Sequence, residues 1–338
     1  MKQLRRWALG LIIALAALVG VVGLQAPVPA QDAPVQETPE VTLEIAGLTV
    51  EEVAEGVYTL VASTDFPPAD FATTAICNVT IVVGSDGVLV LDTFQNQALA
   101  NLAFATVATL TDQPIRYVVD THYHFDHSGG NAAAEALGLP ILGRGPIREF
   151  MLTRNQELDP TVTPPSVVVN GTWDLWLGDR QVQLVEFEGH SGGTDLVAYI
   201  PDVDVLVTGD MLFAERLPYL ADGGIRVWQD NLEMLAETYS TATVVPGHGP
   251  VGDRTNLDNL KGYLNTLETL ALQWKEQGLS LEQALEQASL PEPYASYGFQ
   301  GMFSGNVEVA YQQITLGHDD AASIRTYFQA QAPELQAL

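Results

Sequence analysis

The stretch Thr121-His-Tyr-His-Phe-Asp-His-Ser-Gly-Gly-Asn131 decides how the rest of the chain is read. It sets His122, His124, Asp126 and His127 within six residues and carries three of the six histidines in the protein. The run before it, Ile115 to Asp120, is β-branched and aromatic and predicts a strand. The cluster therefore sits on the loop leaving a strand's carboxyl end, ahead of a Gly-Gly turn. Imidazoles and a carboxylate crowded this closely must each find a partner or be left unsatisfied. A divalent cation resolves the crowding by accepting a lone pair from each, so the stretch predicts a metal site.

Further along the chain the same rhythm recurs. The predicted strand Gln181 to Phe187 leads to Gly189-His190, Val203 to Thr208 leads to Gly209-Asp210, and Thr243 to Val245 leads to Pro246-Gly-His248-Gly. Each candidate ligand follows a strand and is flanked by glycine, which lets backbone approach a small ion closely.

Composition narrows the function classes. The chain has 338 residues, 47% of them apolar, which is enough for a large core and excludes a disordered protein. Its 42 acidic residues against 14 Lys and Arg give a net charge of −28. Such a surface repels nucleic acid, so no nucleic-acid partner is expected, and it also repels anionic membranes. Cys77 is the only cysteine, which excludes an internal disulfide and reads as a small buried hydrophobe.

The N-terminus reads as a secretory signal over residues 1–30. Lys2, Arg5 and Arg6 are followed by the uncharged run Trp7 to Leu24 and then by Val28 and Ala30, small residues suited to cleavage after Ala30. Export to the periplasm or the medium is expected. Contact with a membrane is expected only through this segment, if it is retained as an anchor. A Pro-, Gln- and acid-rich leader occupies 31–40. The fold is expected to start near Val41. Ala75 to Val83 and Val88 to Asp92 predict a hairpin of strands buried on both faces, and Asn96 to Thr111 a helix. Val167 to Asn170, Thr172 to Leu177 and Gln181 to Phe187 predict antiparallel strands, and Trp228 to Tyr239 an amphipathic helix. From Thr255 the spacing becomes helical, so a helical appendage is expected over 256–338. His318, between Gly317 and Asp319, is read as a helix-start residue without a metal role.

Taken together, His122-Tyr-His124-Phe-Asp126-His127, Gly189-His190, Thr208-Gly209-Asp210, Pro246-Gly247-His248-Gly249 and the upstream Val90-Leu-Asp92 resemble the metallo-β-lactamase-fold hydrolase superfamily over roughly residues 41–255. The resemblance implies an α/β fold, an αββα four-layer sandwich with the site along one edge. It implies a first metal held by His122, His124 and His190, a second held by Asp126, His127 and His248, and Asp210 bridging the two. Zinc suits these donors best, and iron or manganese also fit. The implied activity is metal-dependent hydrolysis, with Asp126 orienting or accepting a proton and Asp92 supporting the ligands from its strand end.

Departures from particular branches narrow the substrate. Cysteine-type zinc β-lactamases have Cys where Asp210 stands, so a β-lactamase is a minority reading. Glutathione-dependent members use basic residues in the C-terminal region, where this chain offers only Lys261, Lys275 and Arg325. A small-molecule ester or lactone, neutral or cationic, is the leading expectation. A mononuclear iron dioxygenase of sulfur compounds and a non-catalytic binding protein remain alternatives. Phe66 and Tyr219, in Pro-containing loops, are expected to line a cleft and Trp228 is a further candidate for it, whereas Trp173 and Trp176 are expected in the core.

Overall fold

The computed structural model describes residues 41–317. The expected signal segment, the leader, His318 and the helix expected over 321–328 lie outside the described residues. Among the described residues no helix is long and apolar enough to cross a membrane.

Two sheets face each other. The first runs in sequence order through β1 (Leu48–Ala54), β2 (Val57–Ala62), β3 (Val79–Val83), β4 (Val88–Leu91), β5 (Ile115–Val119), β6 (Ile141–Arg144) and β7 (Val167–Val169). It is antiparallel up to β4 and parallel from β4 to β7. The second holds β8 (Thr172–Leu177), β9 (Arg180–Glu186), β10 (Leu196–Ile200), β11 (Val205–Val207) and β12 (Thr243–Val245), in the order β12-β11-β10-β9-β8. Only its β11–β12 pair is parallel.

The two-residue period of a strand explains the layering. In β4, Val88 and Val90 turn outward to a helix layer, while Leu89 and Leu91 turn inward to the second sheet. In β11, Val205 and Val207 turn inward and Leu206 turns to the opposite helix layer. Strands covered on both faces need apolar residues at every position, which accounts for their unbroken hydrophobicity.

The first helix layer contains α1 (Leu43–Ala46) and α2 (Gln97–Leu110). Asn96 caps α2 by accepting from the Leu99 amide at 3.0 Å. The short α3 (Phe125–Ser128) and α4 (Asn131–Ala136) follow β5, and α5 (Ile147–Phe150) and α6 (Gln156–Leu158) flank a π-helical turn, Met151–Asn155. On the far side, α7 (Ile225–Thr238) and α8 (Arg254–Gln277) pack with α10 (Phe303–Ala310), and α9 (Leu281–Gln287) adds Ala284. The C-terminal helices thus share one hydrophobic core with the outer face of the second sheet.

Three expectations are corrected. Residues 75–78 are not strand, because Asn78 is engaged elsewhere. Its amide donates to Gly247 O at 2.7 Å, its side-chain amide donates to Pro246 O and Gly249 O, and its Oδ1 accepts from Ala62 N. β7 is not antiparallel to β8. The Pro-rich connection returns the chain so that β7 runs parallel to β6 in the first sheet. Trp173 and Trp176 are not core residues but are 43% and 56% exposed. β8 is the outer strand of its sheet and has a neighbouring strand on one flank only.

Candidate metal centre

The carboxyl ends of β4, β5, β9, β11 and β12 meet along one edge of the sandwich, and each delivers one part of the site. Asp92 follows β4, the 122–127 cluster follows β5, His190 follows β9, Asp210 follows β11 and His248 follows β12. The sheets are stitched at this edge by the Leu196 amide, which donates to Thr121 O at 2.7 Å. Two glycines permit the close approach. Gly209 sits at φ 51°, where a Cβ would lie 2.5 Å from Thr121 Oγ1. A Cβ on Gly247 would lie 2.0 Å from Asp210 Oδ1.

All seven expected ligands converge, in two groups. Donor atoms of His122, His124, His190 and Asp210 lie within 4.8 Å of one another, and so do those of Asp126, His127 and His248. Asp210 divides its oxygens between the groups. Oδ2 faces His122 Nε2 at 3.5 Å and His190 Nε2 at 3.7 Å, while Oδ1 faces His127 Nε2 at 3.1 Å and His248 Nε2 at 3.3 Å. Asp126 Oδ2 completes the second group, 3.3 Å from His248 Nε2 and 3.6 Å from His127 Nε2.

Four of the five imidazoles are anchored at the nitrogen facing away from the cluster. His127 Nδ1 is 2.8 Å from Asp92 Oδ2, His248 Nδ1 is 2.8 Å from Ile76 O, His122 Nδ1 is 3.1 Å from Thr121 Oγ1, and His124 Nε2 is 3.1 Å from Asp222 Oδ2. An anchor of this kind fixes the tautomer and leaves the other nitrogen's lone pair pointing inward. The fifth, His190, has Nδ1 3.6 Å from Asp195 Oδ1. Asp195 is itself fixed by the amides of His190 and Ser191 and by Ser191 Oγ.

The donor set fits cations. Both ring nitrogens of His190 and Asp210 Oδ1 are buried without a hydrogen-bond partner. Such orphans are rare in folded proteins, and metal coordination is one resolution. Burial would lower His248, yet Asp210 and Asp126 outweigh it and push it up to about 9. His127, similarly buried, is raised well above its ordinary value by Asp210, Cys77, Asp126 and Asp92. Asp210, which burial alone would raise, is held well below the usual carboxylate range by His127, His248 and His122. His122 is pushed well down by burial and by neighbouring His127.

Several supporting residues carried no local signal. Asp222 accepts from Tyr123 and pairs with Arg154 Nη1 at 2.6 Å, and Arg154 rises from the π-helical turn Met151–Asn155 over the Phe150 ring. Asn155, on the same turn, donates to Tyr123 O and Ser128 Oγ. π-turns recur at functional sites because the extra residue re-aims the side chains that follow. Asp92, at its strand end, holds His127 Nδ1. Cys77 is buried, and its thiol donates to Asp126 O at 2.9 Å, bracing the turn that carries Asp126 and His127. Phe66 and Tyr219 both line the cavity over the site, as expected, whereas Trp228 is buried beneath His190 with ring centroids 5.1 Å apart.

The sequence profile of the metallo-beta-lactamase superfamily matches residues 72–248, just over half of the chain. The chain belongs to this superfamily. It is similar to a linear primary-alkylsulfatase of Pseudomonas sp. (strain ATCC 19151), with 21% identity over 291 residues, covering 70% of this chain and 55% of that protein. It is also similar to a hydroxyacylglutathione hydrolase of Shewanella sp. (strain ANA-3), with 30% identity over 158 residues, covering 45% of this chain and 53% of that protein. The chain thus spans about half the length of these two relatives. Among solved structures it resembles a metallo-beta-lactamase from Pontibacter korlensis, at TM-score 0.55 and 23% identity, covering 64% of this chain and 99% of that one. The structure of TMB-1 matches at TM-score 0.56 and 20% identity, covering 65% of this chain and 98% of that one. The superfamily's αββα architecture is the one built above.

Proposed function

We propose that this chain is an exported, binuclear metal-dependent hydrolase of small-molecule esters or lactones. The observation that carries this reading is the division of Asp210, whose two oxygens face two separate groups of inward-pointing donors. In the proposed ligand set, His122, His124 and His190 would hold a first zinc, Asp126, His127 and His248 would hold a second, and Asp210 would serve both. Zinc bound there would supply polarisation of an ester carbonyl and a water acidified toward a pKa of about 7.

The chain's own residues do the rest. The carboxylates of Asp126 and Asp210 would offset cationic charge. Asp126 lines the cavity, so its carboxylate can orient the attacking water and take up its proton. Asp222 keeps His124 turned so that Nδ1 faces inward, and Arg154 holds Asp222 ionised. Asp222 sits well below the usual carboxylate range, because bonding to His124 and the charge of Arg154 overcome its burial.

A mononuclear dioxygenase needs no second group, so the complete set Asp126, His127 and His248 favours the binuclear reading. Asp210 in place of cysteine argues against a β-lactamase. The alkylsulfatase relative makes sulfate esters a natural member of the substrate panel. The test is turnover of chromogenic esters, lactones and a cephalosporin by protein stripped with chelator and then reloaded with zinc. Ester or lactone hydrolysis that disappears on stripping and returns on reloading supports the proposal. Full hydrolysis by the stripped protein overturns it.

A further inference from the structure

The cavity above the cluster has a volume of about 700 Å³, and its two sides differ in chemistry. Its floor is His124, Asp126, Asp210 and His248, and its wall is built largely from Phe66, Phe125, Leu158, Phe213, Phe299 and Met302. Phe66, Phe299 and Met302 fall outside residues 72–248, the span shared with the superfamily.

The position of Phe299 is held by several contacts at some conformational cost. Its φ is 61°, in the left-handed region that bulky residues rarely occupy. Its amide donates to Asp65 Oδ1 at 2.6 Å, which ties it to the loop carrying Phe66. On either side of Arg216, the Leu217 amide donates to Gly298 O and the Gly298 amide donates to Glu215 O, both at 2.9 Å. The Arg216 guanidinium lies 5.0 Å from the Phe299 ring centroid. The result is an aromatic ring edge-on to His248 at 5.3 Å and to Phe66 at 6.0 Å, with Phe213 stacked on His248 from another side at 4.8 Å. Strained residues that persist against their own preference cluster at ligand clamps and active sites.

We propose that this wall is a subsite for an apolar group of the substrate, a medium-length alkyl chain or an aryl ring, and that Phe299 sets the preference for it. This rests on the hydrolase reading, because the subsite opens directly onto the proposed ligands. Half-buried Phe66, Phe125 and Met302 facing open volume gain from covering by an apolar ligand group, and a packed core would leave no such volume. Arg154 and Asp222 line the same cavity, but the six apolar side chains carry no charge, so this face selects by shape and apolar area.

The test compares kcat/KM for p-nitrophenyl octanoate and p-nitrophenyl acetate on zinc-loaded protein. Wild type should favour the octanoate by about tenfold or more, the scale on which apolar pockets discriminate. Phe299→Ala should reduce that ratio about tenfold, mainly through KM for the octanoate, with zinc content retained. Equal use of the two esters by wild type, or an unchanged ratio in the variant, overturns the proposal. If Phe299→Ala does not fold, Met302→Trp, which fills the cavity from its wall, must lower the same ratio. If neither ester is hydrolysed, the ester reading fails and the subsite is decided separately by 1-naphthol fluorescence on the zinc-loaded protein. Saturable binding that weakens in Met302→Trp supports it, and no binding, or equal binding, overturns it.

Discussion

Replacing Asp92 with asparagine should weaken metal binding at the second group while leaving the fold in place. Asp92 is buried at the end of β4, with φ 70°, a conformation asparagine also tolerates. Its Oδ1 accepts from Thr121 N at 2.7 Å, and its Oδ2 accepts from Thr121 Oγ1 and lies against His127 Nδ1, both at 2.8 Å. Asparagine has one oxygen and one NH₂. With the oxygen toward the Thr121 amide, the NH₂ faces His127 Nδ1, which must then accept. The ring proton moves to Nε2, the atom that faces Asp126, Asp210 and His248. With the amide turned the other way, its NH₂ opposes the Thr121 N–H, and a buried donor is left unsatisfied at about 1–3 kcal/mol. Losing such a support typically costs about 10–100-fold in metal affinity, roughly 1.4–2.8 kcal/mol. The assay is metal per chain after equilibration against a competing chelator, alongside a thermal melt. Retention of two metals per chain with wild-type affinity would refute the reasoning.

Metal-free protein should lose stability between about pH 6.5 and 9. His127 and His248 have folded pKa values raised above their ordinary 6.5, that of His248 to about 9. The stability they contribute is fully present below 6.5 and is lost as pH rises through 9, a loss on the order of 3 kcal/mol for His248. Below pH 6.5 the lowered pKa of His122 works the other way, so the melting temperature should peak near 6.5 and zinc should raise it most at alkaline pH. A metal-free melting temperature flat from pH 6.5 to 9 would contradict this. Gly247→Ala should lower zinc content and cost about 1–3 kcal/mol in chemical denaturation, because its methyl would displace the Asp210 carboxylate. Wild-type zinc content in that variant would show that the carboxylate can move without loss.

How much was legible in the sequence follows from where the signals lie. The seven converging residues were readable because the strand ends that carry them are local, and histidines beside glycines after apolar runs are conspicuous. Asp222 and Arg154 were not readable. One lies in the loop before α7 and the other on a π-helical turn, 68 residues apart, and they meet only through tertiary folding. The Ala75–Asn78 stretch looked like strand because its propensity is right. Its ladder is broken by one residue, Asn78, whose partners lie about 170 residues away. Trp173 and Trp176 misled because hydrophobicity cannot reveal that a strand ends a sheet. The Phe299 wall was hidden for a similar reason: its backbone conformation and its tie to Asp65 are set by contacts across the whole chain.

The most direct test of the central claim is the zinc stoichiometry of the purified chain, measured by elemental analysis during titration of the metal-free protein. The account predicts two zinc ions per chain, with Asp210→Ala weakening both because its carboxylate serves both groups. Saturation at one zinc, or an Asp210→Ala protein that still binds two with unchanged affinity, would contradict it.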